Sequence, residues 1–370
     1  MAVTRTQVLR YRIHAQQLDR APRKDRRPDA ATILDLGVQD TGPDGALWAL
    51  ALRGVPVTAH HWPHELALAW TVRAAPHAYR RSDLPAVEKA LRPYSEADAA
   101  KRVINASAPL ADAGIPVLDA LATVSRTMRE VVAEPMVKGT LSTRMTAEVT
   151  EPYLRWCPGC HATHMYEMPF RLAALHAGLE LEPYTSPPVV RRIPRWPASQ
   201  VGNLERADDS DDGPVDLLRG LLHLLGPVTP KQAAVFLDST VRDVKARWPE
   251  DAVEVDRDGA SILDADLAAL QDPPHEPLVR LLGPYDLFLQ GRDRELLVPD
   301  KAHHKALWPT IGRPGAVLAD GELVGTWRPR AKGKQLALEL DEWVPWSGRT
   351  KAAVGVEHER LAEFRGVTPA

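Results

Sequence analysis

Residues 214–263, PVDLLRGLLHLLGPVTPKQAAVFLDSTVRDVKARWPEDAVEVDRDGASIL, contain the clearest succession of structural elements in the chain. Four leucines recur at helical spacing and predict one buried helix face: Leu218, Leu221, Leu222 and Leu225. Gly226 is expected to end this helix. Thr229 is a good N-cap for the next helix, which has Pro230 at its first position.

A third helix and a hairpin complete this stretch. The helix is predicted to begin at Asp238 or Ser239 and to end near Trp248. The segments AVEVDRD and ASILDA have the composition of strands, and Asp258-Gly259 between them is a hairpin signal. Three helices followed by a hairpin is the order of elements in a winged helix, so residues 215–272 are predicted to form one.

The same order is predicted at the N-terminus, over residues 1–83. Apolar residues lie on one face of a helix from about residue 4 to 18, and Asp29 is expected to cap a helix over residues 30–38. A third helix is predicted over residues 45–52. Two short strands near residues 70–73 and 77–79 would form the wing.

The rest of the chain divides into a further helical unit, a linker and a β-rich part. Helices are predicted over residues 95–108, 116–133, 141–148 and 168–177, and a strand, a proline-rich loop and a strand follow them. We therefore expect a second winged helix over residues 84–201 and an acidic linker over 202–214. Residues 273–370 hold short β-rich segments, an Asp320-Gly321 turn and a final helix near 351–364, which predicts a small β-barrel-like domain. The predicted fold class is α+β: three tandem winged helices and a C-terminal β domain.

Composition limits where such a protein works. The chain has 370 residues, of which 44% are hydrophobic and 26% charged, and two cysteines. These values are typical of a soluble globular protein and argue against a disulfide scaffold. No apolar run approaches the roughly 20 residues that span a bilayer, and the first residues lack a signal-peptide pattern. We expect a cytoplasmic protein with no membrane association.

The net charge of −3 hides a basic N-terminal region. As a group, six cations in it are candidates for contacts with DNA phosphates: Arg10, Arg12, Arg23, Lys24, Arg26 and Arg27. Such contacts position a duplex without reading its sequence. A solvated helix face would have the same composition, and charge alone does not separate the two interpretations.

A polar trio, Gln39-Asp40-Thr41, interrupts the apolar pattern just before Gly42-Pro43. One interpretation is a turn in which Asp40 or Thr41 bonds nearby backbone. The other is a catalytic site, because a carboxylate can polarise a water and an amide can hold it. The residues alone leave both interpretations open.

A second unusual segment is Cys157-Pro-Gly-Cys160-His161-Ala-Thr-His164. The CxxCH pattern is also that of c-type haem attachment, which needs an exported protein, and no thioredoxin-like pattern surrounds the cysteines. Zinc is the better metal alternative, with Cys157, Cys160 and His164 as three ligands and either His161 or a distant residue as the fourth. Four ligands within eight residues would be cramped, so a reduced structural pair without metal is the favoured prediction. No cofactor is predicted, and the GxGxxG and GxxxxGK[ST] phosphate loops are absent.

Several stretches, in their order along the chain, resemble the AlkZ-like and YcaQ-like bacterial DNA glycosylases. They include AQQLDR, LGVQDTGPDGALWALALRG, WTVRAAPHAYRRSDL, KGTLSTRM, LLHLLGPVTPKQ, and LQGRDRELLVP with GAVLADGELVGTWR, and span about residues 10–330. The family's catalytic Gln-x-Gln or Gln-x-Asp motif aligns with the trio, so Gln39 matches and Thr41 departs. A shift of one residue would give Asp40 the carboxylate role. The resemblance also implies DNA contacts by Arg73 and His77 in the wing, and Arg80 and Arg81 follow them as further candidates.

The resemblance implies a monofunctional DNA glycosylase that hydrolyses the N-glycosidic bond of alkylated, including crosslinked, purines in double-stranded DNA. The expected catalytic residues are Gln39, Asp40 and Thr41, and the expected oligomeric state is a monomer. One alternative is a winged-helix DNA-binding protein or regulator without enzymatic activity, which would prefer one operator sequence over damage. A third is a small-molecule-sequestering protein on the same scaffold, for which a closed apolar pocket would be the sign.

Overall fold

The computed structural model describes residues 3–206, 215–255, 258–275 and 277–370. Its α-helices are α1 (Arg5–Ala15), α2 (Gly45–Leu52), α3 (Leu84–Leu91), α4 (Glu96–Arg102), α5 (Ser107–Asp112), α6 (Val117–Val131), α7 (Lys138–Glu148), α8 (Glu167–His176), α9 (Leu217–Leu225), α10 (Pro230–Leu237), α11 (Val241–Ala246), α12 (Leu267–Gln271), α13 (Arg294–Leu297), α14 (His304–Leu307) and α15 (Gly348–Phe364). No helix among these residues is both long and apolar enough to cross a bilayer.

The strands are mostly short. They are β1 (Val38–Gln39), β2 (Leu66–Trp70), β3 (Pro76–Arg80), β4 (Met136–Val137), β5 (Leu154–Cys157), β6 (Ala162–Met165), β7 (Leu179–Leu181), β8 (Val189–Arg192), β9 (Ala252–Glu254), β10 (Ser261–Leu263), β11 (Val279–Leu282), β12 (Gly315–Ala319), β13 (Glu322–Lys332), β14 (Gln335–Glu342) and β15 (Thr368–Pro369). Helices and strands together make the mixed α+β fold that the sequence predicts.

By internal packing the chain forms two compact units. Unit 1 consists of Met1–Leu66, Arg219–Gln232 and Pro249–Ala370, and unit 2 of Ala67–Leu218 and Ala233–Trp248. Each unit is assembled from segments that are discontinuous in sequence. The division into three contiguous winged helices, a linker and a β domain stays a prediction, and residues 207–214 of the linker lie outside the described residues.

Unit 1 is built on a sheet with the order β11-β12-β13-β14-β15. Its first four strands pair antiparallel, and β15 joins β14 in parallel. The helices α2 and α15 share one apolar core with this sheet, in which Trp48 lies against Phe364 with ring centroids 5.1 Å apart. Trp48 Nε1 also donates to Leu281 O at 2.7 Å, so α2 is fastened to the first strand of the sheet.

A smaller core of unit 1 joins α1 to the hairpin of β9 and β10 and to α12. Val8 and Tyr11 of α1 pack there with Ile262 and Leu270. The helix begins with a capping box: the Thr4 hydroxyl accepts a hydrogen bond from the Gln7 backbone amide, and the Gln7 side-chain oxygen accepts one from the Thr4 backbone amide.

Unit 2 combines a sheet with helices. Its strands follow the order β3-β2-β7-β8-β4, and β7 pairs antiparallel with both β2 and β8. The helix α6 packs against α8 and α7, and its apolar residues Val117, Ala120 and Leu121 form a core with α4 and α5. The strands β5 and β6 form a separate two-stranded sheet.

The predicted helices over residues 45–52, 116–133, 141–148 and 168–177, and those of the stretch 214–263, are confirmed as α2, α6, α7, α8 and α9–α11. The prediction of a helix over residues 30–38 is wrong. That segment forms two 3₁₀ turns, Pro28–Ala30 and Thr32–Asp35, followed by β1. Gly37, with φ of 80°, lies between the second turn and β1, and a residue in this left-handed conformation ends a helix rather than continuing it.

Candidate functional site

The polar trio lies in a tight turn between β1 and α2, within unit 1. Gln39 is the last residue of β1, and Gly42 has φ of 96°, a conformation that favours glycine. Asp40 Oδ1 accepts a hydrogen bond of 2.9 Å from the backbone amide of Ala46, in the first turn of α2. The positive end of a helix dipole thus holds one carboxylate oxygen in place. The second oxygen, Oδ2, has no donor among the residues that the structure describes.

The side chains of Gln39 and Thr41 contact each other next to this carboxylate. Gln39 Nε2 donates to Thr41 Oγ1 at 3.0 Å. With its amide nitrogen engaged, Gln39 presents Oε1 as an acceptor, and Thr41 keeps its hydroxyl proton to donate. The turn therefore offers one carboxylate oxygen, one amide oxygen and one hydroxyl, which is a set that can hold and orient a water.

Burial raises the pKa of Asp40 to about 6, the negative charge of Asp44 adds to this, and the Ala46 amide acts in the opposite direction. Gln39 is buried and Asp40 and Thr41 are half-buried. A carboxylate with this pKa is ionised at neutral pH and is a stronger base than an exposed aspartate.

The position of the turn is fixed by polar contacts at both ends of α2. At the N-terminal end, Asp44 accepts two hydrogen bonds of 2.6 and 3.0 Å from Arg365. At the C-terminal end, Arg53 forms a buried bidentate ion pair with Asp286. These anchors are not visible in the sequence, because the partners are more than two hundred residues apart and no local pattern links them.

The six N-terminal cations occupy different environments. Arg23, Lys24 and Arg27 are exposed, and two of them pair with nearby carboxylates: Arg23 with Asp25 and Arg27 with Asp29. Arg10 is half-buried.

Two of the six are engaged inside unit 1. Arg26 donates to Gln17 Oε1 and to Arg53 O. The guanidinium of Arg12 is fully buried, where it pairs with Asp293 and donates to the carbonyls of Gly226 and Pro227. The structure thus gives Arg12 a structural role in the interior.

In unit 2, His77 and Arg73 belong to the segment predicted as a wing. The His77 ring is buried, and burial lowers its pKa to about 3, so the imidazole is neutral at physiological pH. Its Nδ1 lies 2.9 Å from Ala75 O and 3.0 Å from Thr71 Oγ1. A neutral, internally bonded ring does not supply a charge to a phosphate.

Arg73 is half-buried, with φ of 56°, and lies over the Phe236 ring at 4.8 Å. It lines a cleft within unit 2. The remaining lining side chains are mainly apolar, but Arg102, His176 and Asp238 also face it. The cleft is thus mixed in character rather than the closed apolar pocket expected of a sequestering protein.

Arg80 and Arg81 follow β3 in unit 2. Arg80 Nη1 lies 3.4 Å from Asp83 Oδ2. Arg81 forms an ion pair of 2.8 Å with Glu180, whose side chain is buried. Both arginines remain partly exposed and can contact a ligand, but these carboxylates already neutralise part of their charge.

The cysteine-rich segment forms the β5–β6 hairpin of unit 2. This hairpin is not predicted from the sequence. The ligand atoms of Cys157, Cys160 and His164 all lie within 4.8 Å of one another. Both cysteines are free thiols. A hydrogen bond with His164 is the main reason that the pKa of the Cys157 thiol is lowered to about 7.

Comparisons with known proteins agree with this architecture. The family model described as DNA glycosylase AlkZ-like matches residues 33–364, from just before the polar turn to the end of α15. The solved structure of the Streptomyces sahachiroi DNA glycosylase AlkZ is similar to this chain with a TM-score of 0.70 and 19% sequence identity, over 100% of this chain and 98% of that chain. At this identity the similarity shows a shared fold. No curated protein sequence matches the chain.

Proposed function

This chain belongs to the AlkZ-like DNA glycosylase family, and we propose that it removes alkylated purines, including crosslinked ones, from double-stranded DNA by hydrolysis at Asp40. A DNA glycosylase hydrolyses the bond between a base and its deoxyribose. Family membership removes the support for a regulator without enzymatic activity. We further propose that the enzyme acts as a cytoplasmic monomer, and that residues 1–83, 84–201 and 215–272 are winged-helix units.

An alkylated purine is proposed as the substrate because, among the described residues, the turn offers one carboxylate outside an ion pair, Asp40, and no second such acid to protonate a leaving base. A purine alkylated at N7 or N3 is already cationic and leaves as a neutral base without prior protonation. The enzyme then has to stabilise positive charge on the sugar and to activate one water. Asp40 is the acidic residue of the turn whose Oδ2 is free to do both, and no second carboxylic acid is needed to protonate the leaving group.

In the proposed step, the C1′–N bond breaks and its electron pair goes to the departing purine. A water oxygen forms the new bond to C1′, and the proton that it loses goes to Asp40. Gln39 Oε1 accepts the other water proton and orients the nucleophile, while Thr41 holds the Gln39 amide in position. The hydrogen bond from Ala46 fixes the angle of the carboxylate, so that Oδ2 is held ready for the water.

The observation that supports this role best is the combination of burial, a raised pKa and a single backbone donor at Asp40. A carboxylate that served only the turn would be saturated by nearby amides, which lower its pKa. Asp40 departs from that pattern, since its pKa is raised despite the bond from Ala46.

Contacts with DNA phosphates are proposed for the exposed cations Arg23, Lys24 and Arg27, with Arg10 and Arg26 at the edge of this group. Arg73, Arg80 and Arg81 are proposed to contact DNA from unit 2. Arg12 and His77 are proposed to support the protein interior rather than to contact DNA, because Arg12 forms a buried ion pair with Asp293 and His77 is buried and neutral. Phosphate contacts of this type weaken uniformly with added salt.

The test is single-turnover excision from a duplex that contains one N7-methylguanine, with abasic sites scored after alkali. We expect Asp40→Asn to slow excision by at least about 100-fold, the usual contribution of a positioned general base. Asp320→Asn is the matched control, since this exposed carboxylate lies in the same unit but outside the proposed DNA contacts, and it should leave the rate unchanged. A wild-type rate in Asp40→Asn would show that the trio is only a turn.

A further inference from the structure

The β5–β6 hairpin packs against α7 through β6, but most of its side chains remain at least partly exposed. It is a separate two-stranded sheet, and its residues are mostly exposed or half-buried, with Trp156 at 60% exposure. A two-stranded hairpin by itself is marginal in water. A cross-link between its two strands would therefore stabilise it.

The pairing register places two of the chemically active side chains on one face. Cys157 pairs with Ala162, and Arg155 pairs with His164. Residues opposite each other in an antiparallel pair share a face, and so do residues two positions apart on one strand. His164 is therefore the diagonal neighbour of Cys157 on the same face of the hairpin.

The turn brings in the third side chain. Cys160 N donates to Cys157 O at 3.2 Å, which folds residues 157–160 into a tight turn and returns Cys160 towards Cys157. His161, the next residue, has φ of 48° and stands outside the converging group. The two sulfurs and one imidazole nitrogen thus meet within 4.8 Å across the end of the hairpin.

We propose that Cys157, Cys160 and His164 bind a zinc ion that cross-links β5 to β6, with a water as the fourth ligand. Thiolate and imidazole are the ligands that zinc prefers, whereas magnesium and calcium require oxygen. With Zn–S bonds of about 2.3 Å and Zn–N bonds of about 2.0 Å, the edges of a tetrahedral site are about 3.5–3.8 Å long. The ligand atoms need to approach by only about 1 Å to reach these distances.

The histidine is oriented for this role. His164 Nδ1 lies 2.7 Å from Met165 O, so Nδ1 carries the proton and donates, and Nε2 is left as the ligand atom. A backbone carbonyl on the far nitrogen is the usual support of a metal-binding histidine. Cys160 is exposed, which gives solvent access to the fourth position.

The direct test is the zinc content of the desalted full-length protein, measured by plasma mass spectrometry. We expect about one zinc per chain in the wild type and a near-complete loss in Cys160→Ser and His164→Ala. His161→Ala is the matched control, because it removes a histidine of the same hairpin from outside the converging group, and it should retain the metal. Loss of zinc in His161→Ala but not in His164→Ala would overturn the proposed ligand set.

A second readout uses the wild-type protein alone and so does not depend on whether the variants fold. Replacement of zinc by Co²⁺ should give a thiolate-to-metal charge-transfer band and the intense visible bands of tetrahedral cobalt. Hydrogen exchange of residues 154–165 should accelerate after chelation, while that of β11 and β12 in unit 1 stays unchanged. A wild-type protein that takes up neither metal under reducing conditions, or that is isolated with a Cys157–Cys160 disulfide, would refute the proposal.

Discussion

The buried ion pair between Arg53 and Asp286 holds the far end of α2, the helix that follows the turn of Asp40, and its disruption should be costly. Both side chains are 0% exposed. Arg53 Nη1 lies 2.8 Å from Asp286 Oδ2, and Nη2 lies 2.9 Å from Oδ1. Arg53 also donates to Ala49 O and to Gln16 Oε1, and Asp286 accepts from Phe288 N. Every bond of this network is inside unit 1.

Asp286→Asn keeps the shape of the side chain but removes its charge and turns one acceptor into a donor that faces the guanidinium. Arg53 cannot escape to solvent, so it becomes a buried cation without a counter-charge. Breaking a buried pair in this way lowers the free energy of unfolding by about 3–5 kcal/mol. The assay is equilibrium urea unfolding at pH 7.5, followed by tryptophan fluorescence and by circular dichroism.

The matched control is Asp25→Asn, which removes a carboxylate from the exposed pair with Arg23, whose side chains are 71% and 69% exposed. Solvent screens such pairs, and this variant should unfold with the wild-type midpoint. A loss of less than about 1 kcal/mol in Asp286→Asn, with an unchanged m-value, would refute the argument that Arg53 is held by a desolvated counter-charge.

Three further outcomes follow from contacts in unit 1. The pKa of Asp40 is raised to about 6, so ionisation of this group lowers stability as the pH rises from about 4 through 6. Above pH 6, Asp40→Asn should therefore be more stable than the wild type. A shift of two pKa units corresponds to nearly 3 kcal/mol, but the Asp40 residue is partly exposed and the expected gain is about 1–2 kcal/mol. Gly54→Ala should lower the thermal midpoint, at a cost of about 2 kcal/mol, since Gly54 has φ of 78° and a Cβ there would lie 2.5 Å from Ala21 O. Lys24→Ala should reduce the slope of log Kd against log salt for duplex DNA by about 1, while the exposed Lys332→Ala leaves it unchanged; equal slopes in the two variants would remove Lys24 from the proposed DNA contacts.

The elements that sequence predicts best are those with strong local signals. Gly226, the Thr229-Pro230 cap and the Asp258-Gly259 turn lie at the boundaries of α9, α10 and the β9–β10 hairpin, and each acts within a few residues of its own position. The helix expected over residues 30–38 fails because the left-handed conformation of Gly37 decides that segment more strongly than its apolar spacing does.

The candidate site is predictable only as a set of residue types. The trio at residues 39–41 is visible in the sequence, but the bond from Ala46 to Asp40 depends on how α2 begins. Burial of Arg12 follows from Asp293, which is 281 residues away, so the charge pattern of the N-terminus gives no sign of it. The convergence of Cys157 with His164 depends on the register of a hairpin that local propensity does not specify.

The proposed function makes base excision depend on the ionised carboxylate of Asp40. Its most direct test is the pH dependence of the single-turnover rate on a duplex that contains N7-methylguanine, from pH 5 to pH 8. With a pKa of about 6, the ionised fraction of Asp40 rises about tenfold between pH 5 and pH 7, so the wild-type rate should rise by the same factor and then level off. The residual rate of Asp40→Asn should not change with pH. A wild-type rate that is flat over this range, or the same inflection in Asp40→Asn, would contradict the claim.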